Sequence, residues 1–359
     1  MLRRVGRRPG GWLMPDSTDI SARKSDHLVL CETGDVGFVN KSTLFEDVEL
    51  MHDALPELHA DQVDTTCEVL GKRLRAPLLI AAMTGGTPEA ETVNRRLAAA
   101  AERHGIGFCF GSQRPLLRGQ HAGYRVRDLA PFALVVGNIG VVQAAATSTQ
   151  QLRELVQFSG ADALAIHLNP AQEMAQPGGD RDFRGGLDTI RRVVEEIGVP
   201  VLVKETGAGI SRPVGERLVA VGVRWIDAGG AGGTSWVAVE MHRAVDAQKA
   251  LAARFRDWGI PTAAAVLGLR GVGASVIATG GVSDGLDVAK AIALGATAAG
   301  MARPLLKAQA AGEDALDAAI TLVLAELRAA MVLTGSADLV ALSGAKRVLG
   351  GRISGWVAS

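Results

Sequence analysis

The sequence predicts one α/β domain, a (β/α)8 TIM barrel with an N-terminal lead-in segment, and three observations support this fold. Eight apolar runs of strand length recur along the chain, amphipathic stretches separate them, and polar or glycine-rich residues follow their C-terminal ends. Continuous apolar strands are typical of a parallel sheet that is buried on both faces. Eight such strands favour closure into a barrel over an open sheet.

The runs that predict strands are rich in aliphatic residues. They cover residues 77–82, 107–110, 134–137, 163–168, 200–203, 223–227, 275–278 and 297–301. The stretches 91–103 and 287–294 have the periodicity of helices that pack on a sheet. The widest gap, 231–274, has a helical pattern around 244–258, and we expect an elaborated connection there rather than a separate domain.

The chain divides into four predicted parts. Residues 1–21 are an Arg-rich extension that we expect to be disordered, and residues 22–75 form an N-terminal segment before the barrel. The barrel covers residues 76–345, and a C-terminal tail covers 346–359. The secondary structure of the segment before residue 75 does not follow from its sequence pattern.

Charge and composition limit the possible partners. Lys plus Arg (38) equals Asp plus Glu (38), so no overall field favours nucleic acid or an anionic membrane surface. The expected partner is therefore a small molecule. An odd number of cysteines, Cys31, Cys67 and Cys109, without metal-ligand spacing indicates free thiols in a reducing compartment. No run has the length of a signal peptide or a membrane helix, so we expect a cytoplasmic protein.

Lys204 ends an otherwise apolar strand, where an unpaired ammonium group would be costly to bury. One interpretation is a salt bridge to Glu205 or Asp227. The other is a cation beside a flavin ring, where it would stabilise the negative charge that accumulates on reduction. Glycine-rich loops after several strands favour the second interpretation, because glycine lets backbone N–H groups approach a phosphate. Such loops also occur wherever a strand turns sharply.

His167 and Asn169 lie two residues apart on one strand, so both side chains face the barrel axis. A lone strand histidine is usually a hydrogen-bonded core residue, but the neighbouring Asn169 and Gln172 favour a group that binds a ligand. Glu173 could supply one carboxylate to Mg²⁺, with water and phosphate oxygens as the other ligands. The alternative is a solvated carboxylate on a loop.

These residues fall into segments that resemble a known family, the type 2 isopentenyl-diphosphate isomerases. The segments are Arg-Lys-Ser-Asp-His (23–27), Met-Thr-Gly-Gly (83–86), Gly-Ser-Gln-Arg (111–114), His-Leu-Asn-Pro-Ala-Gln-Glu (167–173), Val-Lys-Glu (203–205), Gly-Gly-Ala-Gly-Gly-Thr-Ser (229–235) and Gly-Gly-Val-Ser-Asp-Gly-Leu-Asp (280–287). The resemblance implies a reaction without net redox change, in which isopentenyl and dimethylallyl diphosphate interconvert by a 1,3-proton shift. It also implies reduced FMN as acid and base, Mg²⁺, and NADPH or NADH as the reductant.

The resemblance also implies roles for individual residues. The catalytic group is Gln172, His167 and Lys204, and the metal ligand is Glu173. The diphosphate substrate is bound by Arg23, Lys24, His27, Ser112, Arg114, His167, Asn169 and Gln172. The cofactor is contacted by Met83, Thr84, Gly85, Ser112, Asn138, Lys204, Thr234, Gly281, Val282, Ser283, Ala302 and Arg303. A homotetramer or homo-octamer is implied as well.

Ser283 departs from the family pattern, since a basic residue is expected at this position. If the loop holds a phosphate through backbone N–H groups, the change matters little, and we expect this. Two other functions compete with the isomerase: a flavin barrel that oxidises a 2-hydroxy acid or a dihydropyrimidine, and a silent flavin- or diphosphate-binding protein. The cluster from His167 to Glu173 is a poor substitute for the base that such oxidations need.

Overall fold

The segment before the barrel is largely ordered in the computed structural model, which describes the backbone of residues 17–357 and the side chains of Lys24 and of residues 26–356. Helix α1 (Ser17–Thr33) is followed by strand β1 (Val48–Leu50) and by a hairpin of strands β2 (Cys67–Val69) and β3 (Lys72–Leu74). Residues 1–16 of the predicted extension lie outside the described residues, and residues 17–21 form the first turns of α1.

Eight parallel strands form a closed barrel, which confirms the predicted fold. Each of the eight predicted runs overlaps one strand, and the last strand pairs with the first. The strands are β4 (Leu78–Ile80), β5 (Gly107–Cys109), β6 (Leu134–Gly140), β7 (Ala163–Leu168), β8 (Val201–Glu205), β9 (Trp225–Asp227), β10 (Ser275–Thr279) and β11 (Ala298–Met301).

Helices surround the barrel and cover its outer face. They are α2 (Pro88–His104), α3 (Val141–Ala145), α4 (Thr149–Ser159), α5 (Pro170–Ala175), α6 (Gly186–Glu196), α7 (Arg212–Ala220), α8 (Trp236–Arg243), α9 (Asp246–Phe255), α10 (Thr262–Leu269), α11 (Gly285–Leu294), α12 (Arg303–Ala310), α13 (Glu313–Leu333) and α14 (Leu339–Ser343). The predicted connection 231–274 thus contains three helices, and the pattern around 244–258 corresponds to α9.

The β2–β3 hairpin closes the N-terminal end of the barrel. Val69, Leu70 and Leu74 are buried in one cluster with inward-facing strand residues such as Leu134 and Leu202. Leu70 has a φ of 51°, a left-handed conformation that non-glycine residues adopt rarely, and it turns the chain at the tip of the hairpin. Because apolar side chains fill this end, polar groups can collect only at the other end.

The C-terminal tail folds back onto the segment before the barrel. Strand β12 (Arg347–Leu349) pairs antiparallel with β1, and Val48 lies opposite Leu349. A short helix, α15 (Ile353–Val357), follows and buries Ile353. The predicted parts 22–75 and 346–359 are therefore in contact with each other outside the barrel.

Gly280, directly after β10, provides a test of backbone packing at the polar end. Its φ is 103°, and a Cβ atom there would lie 2.0 Å from the Gly230 carbonyl oxygen. We expect Gly280→Ala to lower the free energy of unfolding by at least about 3 kcal/mol, through strain and overlap. Gly268→Ala is the matched control, because a Cβ at this position in α10 meets nothing within 4 Å. It should stabilise the helix by about 1 kcal/mol. Urea denaturation compares the two; similar midpoints would contradict the packing argument.

Candidate active site

One cavity of about 780 Å³ opens at the C-terminal end of the barrel, where the sequence places its polar residues. The loops after all eight barrel strands line it, together with helix α1. The predicted site residues that line it are Lys24, His27, Met83, Thr84, Ser112, Arg114, Asn138, His167, Asn169, Gln172, Glu173, Lys204, Thr234, Gly281, Val282, Ser283, Ala302 and Arg303. The structure therefore brings together residues that are nearly 280 positions apart in sequence.

The two remaining predicted site residues are Arg23 and Gly85. The side chain of Arg23 lies outside the described residues. Gly85 is not part of the cavity lining. A Cβ atom on Gly85 would lie 2.3 Å from the ring of Tyr124, so this glycine leaves room for a buried tyrosine. Its predicted contact with the cofactor is not apparent from the lining of the cavity.

Lys204 donates a hydrogen bond from Nζ to the Glu205 carbonyl oxygen at 2.6 Å. The hydrogen bonds of the Glu205 carboxylate come from elsewhere, since its Oε2 accepts from the backbone N–H groups of Thr206 and Gly207 at 2.6 Å each. Burial raises the pKa of Glu205 to about 7. On the neighbouring strand Asp227 accepts a hydrogen bond from Thr279 Oγ1 at 2.5 Å. The ammonium group of Lys204 thus lines the cavity and does not form a salt bridge with Glu205.

The glycine loops after β9 and β10 lie against each other. A Cβ on Gly233 would be 2.4 Å from the Gly281 nitrogen, so close backbone packing alone requires some of these glycines. Next to them, Ser283 donates to Asp287 Oδ2 through both its hydroxyl (2.9 Å) and its N–H group (3.0 Å). The N–H of Asp287 in turn donates to Asp284 Oδ1 at 2.7 Å. Two carboxylates therefore already occupy the N-terminus of α11.

The N-terminus of α12 is different, because no side chain caps it. Its N-cap residue is Ala302, and Pro304 occupies the first turn. Both line the cavity, beside Gly281 and Val282. An uncapped helix N-terminus next to a glycine loop is suited to a phosphate group. A phosphate group thus fits here better than at the N-terminus of α11, which the carboxylates of Asp284 and Asp287 occupy.

His167 is buried on β7, and its Nδ1 lies 2.8 Å from Asn138 Oδ1 on β6. The Asn138 amide is held in turn, since its Nδ2 donates to the Phe110 carbonyl oxygen at 3.0 Å. Burial and the nearby cations of Lys204, Lys24 and Arg114 lower the pKa of His167 to about 3. In the protein alone this imidazole is neutral.

Asn169, Gln172 and Glu173 lie at the start of α5. Asn169 Nδ2 donates to Glu173 Oε1 at 2.9 Å, and the N–H of Asp180 donates to Glu173 Oε2 at 2.8 Å. This carboxylate is therefore fixed in the cavity wall, which fits a ligand to Mg²⁺. Among residues 24 and 26–356 we find no cluster of three or more His, Cys, Asp or Glu that could hold a metal ion. A cation would need further ligands from water or substrate.

Two residues that the sequence prediction missed stand beside this cluster. Glu240, on α8, is fully buried and lies 2.9 Å from His27 Nε2. Gln172 Nε2 donates to it at 3.1 Å, and Arg243 at 3.0 Å. Burial raises the pKa of Glu240, but these partners outweigh burial, and the net pKa is below its usual value. Trp236, one turn earlier on α8, contacts the His27 ring edge-on, with 5.2 Å between the ring centroids.

Helix α1 lines the cavity and is fixed at its middle and at its C-terminal end. Lys24, in the middle, donates to the Ser112 carbonyl oxygen and to Tyr124 Oη, both at 2.9 Å, and also to the Gly85 carbonyl oxygen. At the C-terminal end Arg303 donates to the carbonyl oxygens of Cys31 (2.9 Å) and Gly34 (2.7 Å). Two of the predicted substrate residues, Lys24 and His27, thus reach the cavity from outside the barrel.

Comparison with known proteins decides the family. A sequence model described as FMN-dependent dehydrogenase matches residues 19–115 and 123–348. The isopentenyl-diphosphate delta-isomerase of Methanosarcina acetivorans is 46% identical over 343 residues, which cover 94% of this chain and 93% of that protein. The chain belongs to the isopentenyl-diphosphate delta-isomerase family. Two further isopentenyl-diphosphate delta-isomerases support this assignment. That of Halobacterium salinarum is 44% identical over 95% of this chain and 97% of that protein, and that of a Synechococcus strain is 46% identical over 90% of this chain and 95% of that protein.

The isomerase family shares its fold with flavin oxidases. A mandelate oxidase that carries an FMN adduct superimposes with a TM-score of 0.62 at 20% identity, over 89% of this chain and 95% of that one. A lactate oxidase of Pediococcus acidilactici superimposes with a TM-score of 0.65 at 15% identity, over 93% of this chain and 94% of that one. These likenesses show the barrel fold alone. No helix in residues 17–357 is long and apolar enough to cross a membrane.

Proposed function

We propose that the protein interconverts isopentenyl diphosphate and dimethylallyl diphosphate by a 1,3-proton shift. One observation carries the proposal: Gln172, held by Glu240, lines the same cavity as the fixed carboxylate of Glu173 and the cations Lys24, Arg114 and Lys204. A site for a small diphosphate and a site for proton chemistry are thus combined in one place. The relatives that are 42–46% identical carry the name of this activity.

The cofactor of the family, FMN, fits the wall formed by the later strands. Val282 in the loop after β10 and Ala302 at the uncapped N-terminus of α12 would hold its phosphate through backbone N–H groups, and Lys204 would place a cation beside its ring. Thr84, Asn138 and Thr234 would supply further polar contacts. When bound and reduced, FMN supplies an electron-rich surface and an ionisable ring nitrogen, which suit the protonation of an alkene.

The residues of the chain bind and orient the substrate. Arg114, Ser112, His167 and Asn169 would hold the diphosphate, and Arg23, Lys24 and His27 would complete the clamp from α1. Glu173 would bring Mg²⁺ to the phosphate oxygens. A site that fixes both ends of a flexible substrate lowers the entropic part of the barrier.

Gln172 and Trp236, which line the cavity, would face the hydrocarbon end, and the buried Glu240 would act through Gln172. The Glu240 carboxylate fixes the Gln172 amide by accepting from Nε2, so the amide is oriented before substrate binds. The Trp236 ring, which packs edge-on against His27, would exclude water from this side, and exclusion of water strengthens the electrostatic contacts in the site.

The proposal has four further parts. By the family resemblance, NADPH or NADH serves as the reductant and the chain assembles into a homotetramer or homo-octamer. The lack of a sequence run with the length of a signal peptide or a membrane helix supports a location in the cytoplasm. Residues 22–75 act as part of the substrate site rather than as a separate domain.

The experiment that tests the function is a turnover assay. The purified protein should have the yellow absorption spectrum of a flavin. Under anaerobic conditions with FMN, NADPH, Mg²⁺ and isopentenyl diphosphate it should form dimethylallyl diphosphate. Absence of this product from reduced, flavin-loaded protein would refute the proposal. Size-exclusion chromatography with light scattering gives the subunit number.

Arg114→Ala should raise the KM for isopentenyl diphosphate by about tenfold to a hundredfold, and kcat should change little. The guanidinium group would contact the diphosphate equally in the ground state and the transition state, so its loss weakens uniform binding. The matched control is Arg184→Ala, since Arg184 is 90% exposed and pairs with Asp182. Steady-state kinetics of both variants measure kcat and KM separately. A loss of kcat alone in Arg114→Ala would contradict the role of Arg114 in diphosphate binding.

A further inference from the structure

The hydrogen bonds around His167 fix which of its ring nitrogens carries the proton. Asn138 Nδ2 donates to the Phe110 carbonyl oxygen at 3.0 Å, so the amide oxygen of Asn138 faces the imidazole. This oxygen lies 2.8 Å from His167 Nδ1. A carbonyl oxygen only accepts hydrogen bonds, and Nδ1 must therefore be the protonated nitrogen.

The other ring nitrogen, Nε2, is then an acceptor in the neutral imidazole. His167 lines the cavity, and Gly140 on β6 leaves space beside this atom. A Cβ on Gly140 would lie 2.9 Å from His167 Nε2 and 2.1 Å from Gln143 Oε1. The free protein thus presents a lone pair, and no N–H group, at the ring nitrogen that a ligand would meet.

The charged groups around His167 oppose its protonation in the free protein. Lys204 is its register partner on β8, Lys24 approaches from α1, and Arg114 follows β5. The neighbours on the β6 side, Asn138 and Gln143, are neutral. The carboxylate of Glu173 on α5 lines the same cavity but accepts from Asn169 and Asp180. Burial and the three cations together hold the pKa of His167 near 3.

A fully ionised diphosphate presents only acceptor oxygens, and an acceptor cannot hydrogen-bond to another acceptor. We infer that binding of the diphosphate takes up one proton from solvent, which His167 Nε2 and a phosphate oxygen then share. The bound anion offsets the charges of Lys24, Arg114 and Lys204, and it supplies the partner that an imidazolium group requires. This inference rests on the proposed function, because it assumes a diphosphate at this site.

The direction of the pH dependence follows from linkage. Protonation of the site is favoured in the complex and disfavoured in the free protein, so the pKa is higher in the complex. Affinity is then fully present below the free-protein pKa of about 3, falls as the pH rises from there to the pKa of the complex, and is constant above it. When one proton is taken up, Kd rises by up to about tenfold per pH unit.

Calorimetry of the flavin-loaded, oxidised protein tests the inference without turnover. Isopentenyl diphosphate is titrated at about pH 8 with Mg²⁺ and without reductant, in HEPES, tricine and Tris, which have different heats of ionisation. At this pH the ligand is fully ionised, so any proton that is taken up comes from the buffer. The slope of the binding enthalpy against the ionisation enthalpy gives the proton number, and we expect about one.

Two variants assign the proton to His167. His167→Gln retains a donor amide but cannot titrate, and its proton number should fall to near zero. Asn138→Asp would place a carboxylate beside the Nδ1–H group and favour the imidazolium group in the free protein. The proton number should therefore fall in this variant as well.

Saturable binding with a proton number near zero in the wild type would overturn the inference and leave the proposed function intact. The same holds for an unchanged proton number in His167→Gln. If His167→Gln fails to fold, the wild-type Kd between pH 7.5 and 9.5 decides, and a constant Kd contradicts proton uptake. Absence of any saturable binding of isopentenyl diphosphate would refute the proposed function itself.

Discussion

Gln172→Ala should lower kcat for isomerisation by about a hundredfold or more and change KM by less than about threefold. The Gln172 amide is held on both sides, since Nε2 donates to Glu240 at 3.1 Å and Oε1 accepts from Asn169 at 3.3 Å. A group fixed in this way contributes mainly to stabilisation of the transition state. If it is lost, the substrate carbon atoms are misplaced, which lowers the rate rather than the affinity. Removal of the amide also frees Glu240 from one of its partners.

The control for this variant is Gln150→Ala on the exposed face of α4, where Gln150 bonds only to Glu154 among the described residues. Its kinetics should match those of the wild type. Both variants should bind FMN and give the same flavin spectrum, which separates a local effect from misfolding. If Gln172→Ala raised KM and left kcat unchanged, Gln172 would belong to the diphosphate clamp rather than to the reacting end.

Glu173→Gln should lower kcat/KM by about tenfold to a hundredfold at a fixed Mg²⁺ concentration and raise the Mg²⁺ concentration that gives half-maximal rate. An amide oxygen is a weaker ligand for a hard cation than a carboxylate. In addition, both Glu173 oxygens accept hydrogen bonds here, from Asn169 and from the Asp180 N–H, so an amide NH₂ group would face a donor. The Mg²⁺ dependence of the rate measures the effect.

Direct binding of Mn²⁺, followed by electron paramagnetic resonance in the presence of isopentenyl diphosphate, gives a second readout that does not depend on turnover. Glu154→Gln, an exposed carboxylate on α4, serves as the control and should behave like the wild type. A Glu173→Gln protein with unchanged metal affinity would show that the cation, if it is required, binds elsewhere.

The barrel could be predicted because its strands are buried on both faces. Such strands have continuous apolar sequences, and each of the eight runs overlaps an observed strand. The segment before the barrel could not be predicted in the same way. The β2–β3 hairpin is stabilised by contacts of Val69 and Leu70 with residues far along the chain, such as Leu202. Contacts of this kind leave no periodic signal in a local sequence.

The candidate site was predictable where it follows strands, because the C-terminal ends of barrel strands meet in one place. Glu240 and Trp236 were missed because they lie on α8, inside a long connection. A signal was present, since an acidic residue follows the apolar stretch Trp-Val-Ala-Val at 236–239, but its partner His27 lies more than 200 residues away. At Gly85 the ring of Tyr124 accounts for the lack of a side chain, and the contact of this glycine with the cofactor stays a prediction.

The closed floor of the barrel has a kinetic consequence. Because Val69, Leu70 and Leu74 fill the N-terminal end, the FMN and the diphosphate of the proposed function would enter through the same opening, beside α1. If FMN binds deeper than the substrate, it has to enter first and leave last. Bound substrate would then slow the dissociation of the flavin behind it. Dilution should strip flavin from the resting protein sooner than from protein saturated with its diphosphate ligand.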